Sequence, residues 1–173
     1  RIFHVNPSKK PDDGLFRVVY YGTYIPNHGV EYIIEAARHL NNDKSIHFYL
    51  IGQGPDKVKV QALAEKYNLK NIDFIDWMYK PDLVKKIANC DVCLGTFSTT
   101  KQSLMTVHNK VYEGMAMKKV VLTGDSPAVR NQFTHKKHIY LVKRNDGVSL
   151  ANGIQTLQDQ PDLLSKIEES GHN

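Results

Sequence analysis

The chain has 173 residues, 41% of them hydrophobic and 24% charged, the balance of one globular domain long enough to bury a full core. Its net charge of +5 sets 23 basic residues against 18 acidic ones. The basic residues are scattered or paired (Lys9-Lys10, Lys85-Lys86, Lys118-Lys119, Lys136-Lys137), which excludes an arginine-rich or aromatic-and-basic platform for nucleic acid. No apolar run reaches the roughly 18 residues of a membrane span, and Arg1 opens no signal peptide. The absence of an initiator Met suggests a trimmed fragment. So mild a charge admits an anionic ligand or a peripheral, anionic membrane surface.

Residues 1–14 carry Pro7, Pro11 and Gly14 among polar residues, which predicts a linker ahead of a domain over 15–173. Phe16 to Tyr21 is a β-branched and aromatic strand ending at Gly22. Val30, Ile33, Ile34, Ala37 and Leu40 then fall at helical steps of three and four. The alternation repeats. A strand over His47 to Ile51 runs into Gly52-Gln53-Gly54-Pro55 and a helix to about Tyr67. Ile72 to Ile75 is a short strand, followed by Asp76-Trp77-Met78-Tyr79 and a helix over Pro81 to Ala88. Asp91 to Gly95 is a strand, and a long loop leads to a helix around Glu113. Val120 to Thr123, a helix from Ser126-Pro127 to about Phe133, and a strand over Ile139 to Val142 follow. Helices over Val148 to Leu157 and Pro161 to Glu169 close the chain.

Strands and helices alternating at this spacing predict an α/β fold, a doubly wound, Rossmann-like parallel sheet. Ligands of such sheets lie beyond the carboxyl ends of the strands. The loops 22–29, 52–55, 76–78, 97–110 and 124–126 therefore converge on one rim.

His108 to Gly124 carries the most chemistry. A helix opening at His108-Asn109-Lys110 presents free N–H groups and partial positive charge. Lys110 adds a cation there, and Glu113 brings an acceptor-only carboxylate one turn on. Amides and a lysine suit a diphosphate; a carboxylate suits the paired hydroxyls of a ribose. The bland reading of N-K-x-x-E is a solvated ion pair between Lys110 and Glu113. Gly22 and Thr23 end the first strand where a ligand can approach the backbone, and His28 is placed to donate to a phosphate. Gly52 and Gly54 form a G-x-G, in itself only a tight turn. Trp77 and Met78 offer a wall for a flat base or simply core. The stretch from Thr96 to His108 is hydroxyl-rich and long enough, without secondary structure, to be functional. Cys90 and Cys93 sit in the apolar run ANCDVCLGTF, which suits buried structural thiols better than a redox pair or half a zinc site. Reduced thiols point to a cytoplasmic location.

Taken together, these loops resemble the C-terminal, donor-binding half of a GT-B retaining glycosyltransferase of the family 4 type. The motifs that carry the resemblance are YYGTYIPNHGVEYIIEAARHL, the G-x-G-P at Gly52 to Pro55, EGMAMKKVVLTG from Glu113, and NDGVSLANGIQTLQDQPDLLSKI near the end. The resemblance implies transfer of a sugar with retention from a UDP- or GDP-type donor to a glycan or lipid-linked acceptor. It implies no metal and no further cofactor, which agrees with the absence of an Asp-x-Asp. It implies an N-terminal acceptor domain on the same polypeptide, so that this piece alone binds without turnover, and extends the location to the inner face of the membrane. Glu113 would hold the ribose, Thr106, Val107, His108, Asn109 and Lys110 the diphosphate, and the backbone near Trp77 and Met78 the base. Lys110 and His28 would stabilise the leaving group. Three positions depart from the family. Met105 stands where it has the first glutamate of E-x7-E, Thr23 where it has an arginine, and His28 where it has a lysine. A catalytically degenerate nucleotide-binding or regulatory module, or a sugar-nucleotide epimerase, remain alternatives.

Overall fold

Six short runs rich in Val, Ile, Leu and Tyr make the sheet: β1 (Phe16–Tyr21), β2 (Ile46–Ile51), β3 (Ile72–Ile75), β4 (Val92–Leu94), β5 (Val120–Gly124) and β6 (Tyr140–Val142). All neighbours pair in parallel, in the order β3-β2-β1-β4-β5-β6. The computed structural model describes residues 2–5 and 10–173. Between the strands run α1 (Val30–His39), α2 (Lys57–Lys66), α3 (Lys80–Ala88), α4 (Lys101–Met105), α5 (Asn109–Ala116) and α6 (Pro127–Arg130). Two helices close the chain, α7 (Gly147–Asp159) and α8 (Pro161–His172).

Both faces of the sheet are covered, which is why its central strands read as continuous apolar runs rather than alternating ones. Along β1 the pleat divides the side chains. Val18 and Tyr20 join a core with Ile33 and Ile34 of α1, Val60 of α2 and Leu150 and Ile154 of α7. Val19 and Tyr21 join a second core with Val84 and Ile87 of α3, Val111 and Met115 of α5 and Val129 of α6. The strand order reverses between β1 and β4. The connections leaving those two strands diverge to opposite sides and leave a crevice at their carboxyl ends. Residues 22–29 and 95–108 border it.

Every predicted strand is present, with boundaries shifted by a residue or so. The clearest difference lies between Thr96 and His108, where the sequence suggests an open loop and the chain forms α4. Thr100 caps this helix by accepting from the Ser103 N–H at 3.2 Å. A single five-residue turn shows no apolar period, which is why pattern alone passes over it. The terminal helices run longer than expected, to Asp159 and His172, and α6 stops at Arg130. The linker expected over 1–14 lies partly outside the described residues, at 1 and 6–9. Of the rest, Phe3 stacks on Tyr21 with ring centroids 6.5 Å apart, and Lys10 pairs with Asp91 at 2.6 Å.

Candidate functional site

Three elements meet at the crevice: the end of β1 with its following turn, the loop after β4, and the start of α5. His108 occupies the N-cap of α5 in extended conformation and makes no side-chain cap hydrogen bond. The Val111 N–H donates to the His108 carbonyl at 2.9 Å, and no cap side chain takes the remaining first-turn N–H groups, which suits a ligand or water.

Lys110 does not reach into solvent from this turn. It is 7% exposed, and its Nζ is buried without a hydrogen-bond partner. The amine lies 4.2 Å from the centroid of the Tyr20 ring, a cation–π geometry. On its other side is Gly22, where an added Cβ would come within 2.8 Å of Nζ. Gly22 also holds φ at 145°, a conformation open to glycine and strained for any other residue. Thus the glycine at the strand end makes room for the lysine. The solvated ion pair is absent, since no described ion pair joins Lys110 to Glu113. Burial pushes the amine down to about 7, against the opposing pull of Glu113. The full positive charge expected at the helix start is only partly present near neutral pH in the unliganded domain.

His28 differs from expectation in a related way. Its Nδ1 lies 2.7 Å from the Thr23 carbonyl and 2.8 Å from the Tyr20 hydroxyl, which itself donates to the same carbonyl at 2.8 Å. A carbonyl can only accept, so Nδ1 carries the proton and Nε2 is the bare nitrogen of a neutral ring. Burial, then the charge of Lys110, push this imidazole down to about 4, with the Thr23 carbonyl opposing and His108 adding to the depression. A neutral His28 in this tautomer cannot donate to a phosphate. It does so only after protonation. His108 packs edge to face on it, ring centroids 5.2 Å apart, with Nε2 buried and unpartnered. Burial, then Lys110 and Arg144, hold His108 at about 4.

Glu113 is half-buried one turn beyond Lys110. Burial raises its carboxyl, while Tyr21, Lys110 and Lys80 act to lower it. The Tyr21 hydroxyl donates to the Lys110 carbonyl at 3.2 Å, fixing the first turn of α5 to β1. Thr106 and Asn109 are exposed beside the helix start, and Val107 packs into the second core. Trp77 stands 58% exposed beyond β3, whereas Met78 is partly buried in the same core as Val107. Gly52 and Gly54 have a packing explanation. A Cβ on Gly52 would meet the Gly22 carbonyl oxygen at 2.0 Å, and one on Gly54 the Tyr24 backbone at 2.5 Å. These two glycines therefore let the β1 turn pack closely against the loop after β2.

Sequence reasoning passes over four contributors. Tyr20 and Tyr21 read as strand core, yet each ends in a hydroxyl bonded at the crevice. Arg144, just past β6, is buried and bonds the carbonyls of Ser98, Gly124 and Asp125 and the Ser103 hydroxyl at 2.7–3.0 Å. It ties α4 to the ends of β5 and β6, and nothing in its sequence neighbourhood marks it. Asn27 adds a second tie, accepting from the Thr100 hydroxyl and donating to Gln102. Cys90 and Cys93 are free and buried, and burial pushes the Cys90 thiol up to about 12 and that of Cys93 higher. No cluster of three or more His, Cys, Asp or Glu among the described residues is arranged to hold a metal.

The sequence model of the family described as "Glycosyl transferases group 1" matches residues 4–173. The chain belongs to this family. It is 23% identical over 157 residues to the lipopolysaccharide core biosynthesis glycosyltransferase LpsD of Rhizobium meliloti, covering 90% of this chain and 43% of LpsD. The chain thus spans less than half of that relative. Among solved structures it is similar to the C-terminal domain of a group 1 glycosyl transferase, LpcC, from Francisella tularensis. The TM-score is 0.79 at 17% identity, over 99% of this chain and 92% of that one. It is also similar to Anabaena HepE in complex with UDP-glucose, with a TM-score of 0.79 and 18% identity, over 91% of this chain and 43% of HepE. At such identities the likeness establishes the fold, which is that of the C-terminal half of GT-B group 1 glycosyltransferases.

Proposed function

We propose that this chain is the donor-binding half of a glycosyltransferase that moves a sugar, with retention, from a UDP- or GDP-type nucleotide sugar to a glycan or lipid-linked acceptor. The observation that carries the reading is the unpartnered Lys110 amine between Tyr20 and Gly22, at the uncapped start of α5. A buried amine without a partner destabilises a fold unless something else uses it. An anion at the helix start would use it. The similarity in fold to HepE, whose structure is in complex with UDP-glucose, supports a nucleotide sugar as that anion.

Glu113 binds the ribose hydroxyls, and the amides of 106–110 bind the diphosphate. Trp77 with the backbone around Met78 walls the base, and Gly22 and Thr23 pass close to the phosphates. As the glycosidic bond breaks, negative charge grows on the departing diphosphate. Lys110, and His28 once protonated, stabilise it where a metal would otherwise serve. The acceptor and any group that positions it belong to an N-terminal domain of the same polypeptide. The similarity to a lipopolysaccharide core biosynthesis glycosyltransferase supports a role in cell-surface glycan assembly, and with it a cytoplasmic location at or near the inner face of a membrane.

Calorimetric titration with UDP, GDP and ADP, each with and without magnesium, tests the reading. Metal-independent binding of one nucleotide, lost in Glu113→Ala, is the expected result. Glu113→Ala binding as tightly as the parent would remove the role given to that carboxylate.

A further inference from the structure

Three basic side chains border the crevice where a phosphate needs donors. Lys110 Nζ and His108 Nε2 are buried without partners. His28 spends its Nδ1 on Thr23 and Tyr20, which leaves Nε2 bare. The two rings are in edge-to-face contact at 5.2 Å, so a proton on one acts directly on the other. The other titratable or charged groups that face the trio are Tyr20 and Tyr21 from β1, Glu113 from α5 and Arg144 from the end of β6, with Lys80 at the start of α3 acting through Glu113. Of these only Glu113 is a carboxylic acid, which burial raises, and its effect on Lys110 is smaller than that of burial.

A diphosphate arriving here brings several negative charges and only acceptor oxygens. Each of the three bases can meet it as a donor once it holds an additional proton. The favourable interaction of the charged forms with the ligand offsets the desolvation that keeps them neutral in its absence.

We propose, on the donor-site reading above, that the side chain of His108 joins Lys110 and His28 in a set of bases that take up protons from solvent as the ligand's diphosphate enters. No covalent bond changes; the complex differs from its free components only by the protons gained. Lys110 dominates the uptake at mildly alkaline pH and the histidine pair at mildly acidic pH. Because the protonated amine is required in the complex, affinity falls as pH rises through the alkaline range.

Calorimetry of UDP and GDP binding to this chain, in two buffers of different ionisation enthalpy, measures the uptake directly. At pH 8 the expected uptake is about one proton per site, and affinity at pH 9 is at least about tenfold below that at pH 7. At pH 6 the uptake by His108→Gln is smaller than that of the parent, while at pH 8 the two agree. The nucleotide's own phosphate ionisation cancels in that comparison. Intact binding with equal heats in both buffers and a flat pH profile would overturn the proposal and leave the donor site standing. Uptake at pH 6 unchanged in His108→Gln would remove His108 from the set. Failure of both nucleotides to bind at any pH would overturn the donor-site reading and this proposal with it.

Discussion

Replacing Lys110 with methionine should stabilise the domain and abolish nucleotide binding. The amine is lowered from its ordinary 10.5 to about 7 by burial. An unfolded chain therefore binds more protons than the folded one between pH 7 and pH 10.5, and stability rises with pH across that window. The penalty is close to full at pH 7 and below. Taking about 1.4 kcal/mol per pH unit, it amounts to about 4 kcal/mol at pH 7 and about 1 kcal/mol at pH 10. Methionine keeps most of the side-chain volume and removes the amine. It also forfeits the contact with the Tyr20 face, about 1–2 kcal/mol. The net gain at pH 7 is about 2–3 kcal/mol, or a rise in Tm of roughly 5–10 °C for a chain of this size. Urea unfolding of parent and variant at pH 7 and pH 10 isolates this residue, because other titrations cancel in the difference. A Met variant less stable than the parent at pH 7 would refute the reasoning, as would a gain that does not shrink by pH 10. Loss of nucleotide binding alongside the gain would locate the lysine's use in the ligand complex.

Three further outcomes are expected. Gly22→Ala forces a side chain into a φ of 145° and toward the Lys110 amine, and should lower stability by about 1–3 kcal/mol in chemical unfolding while weakening nucleotide binding. Arg144→Gln leaves buried carbonyls of Ser98, Gly124 and Asp125 short of donors. Amide exchange over 98–105 should then accelerate at least about tenfold relative to β1, and equal protection in both chains would show that Arg144 does not hold α4. Cys90 and Cys93 should stay unreactive toward a thiol reagent at pH 8 until the chain unfolds, since burial keeps both thiols protonated. Prompt labelling of the native domain would contradict that.

The fold was legible because its signals are long-range in pattern and local in chemistry. Val30, Ile33, Ile34 and Ala37 at helical spacing are the buried face of α1, and Val18 to Tyr21 are buried on both sides as an inner parallel strand requires. What escaped was short or tertiary. The turn of α4 is too brief to carry a period. Arg144 acts through four partners at least 19 positions away, a relation that one sequence does not encode in its spacing. Gly52 and Gly54 were legible as glycines of a turn, yet their reason, the backbone of residues 22–24 lying against them, belongs to the packing of two loops.

N-K-x-x-E illustrates where residue identity stops determining chemistry. On an exposed helix the same four positions give a weak ion pair with both groups charged. Here the Tyr20 face and the bare Cα of Gly22 enclose the amine, and the carboxylate of Glu113 stays at the crevice edge. The two readings differ not in the helix but in what β1 places over it: an aromatic at 20 and a glycine at 22. That dependence explains how Thr23 and His28, uncharged in the free domain, can stand where the resemblance leads one to expect arginine and lysine. Fixed cations would crowd a crevice that already contains Lys110 and Arg144. Neutral bases avoid that repulsion until an anion enters, and the cluster then acquires charge in response. A Thr23→Arg substitution should accordingly destabilise the ligand-free domain and flatten the pH dependence of nucleotide affinity, measured by unfolding and by titration over pH 7 to 9. A Thr23→Arg chain as stable as the parent, with the same pH profile, would show that Lys110 and the two histidines do not sense charge at this edge of the crevice.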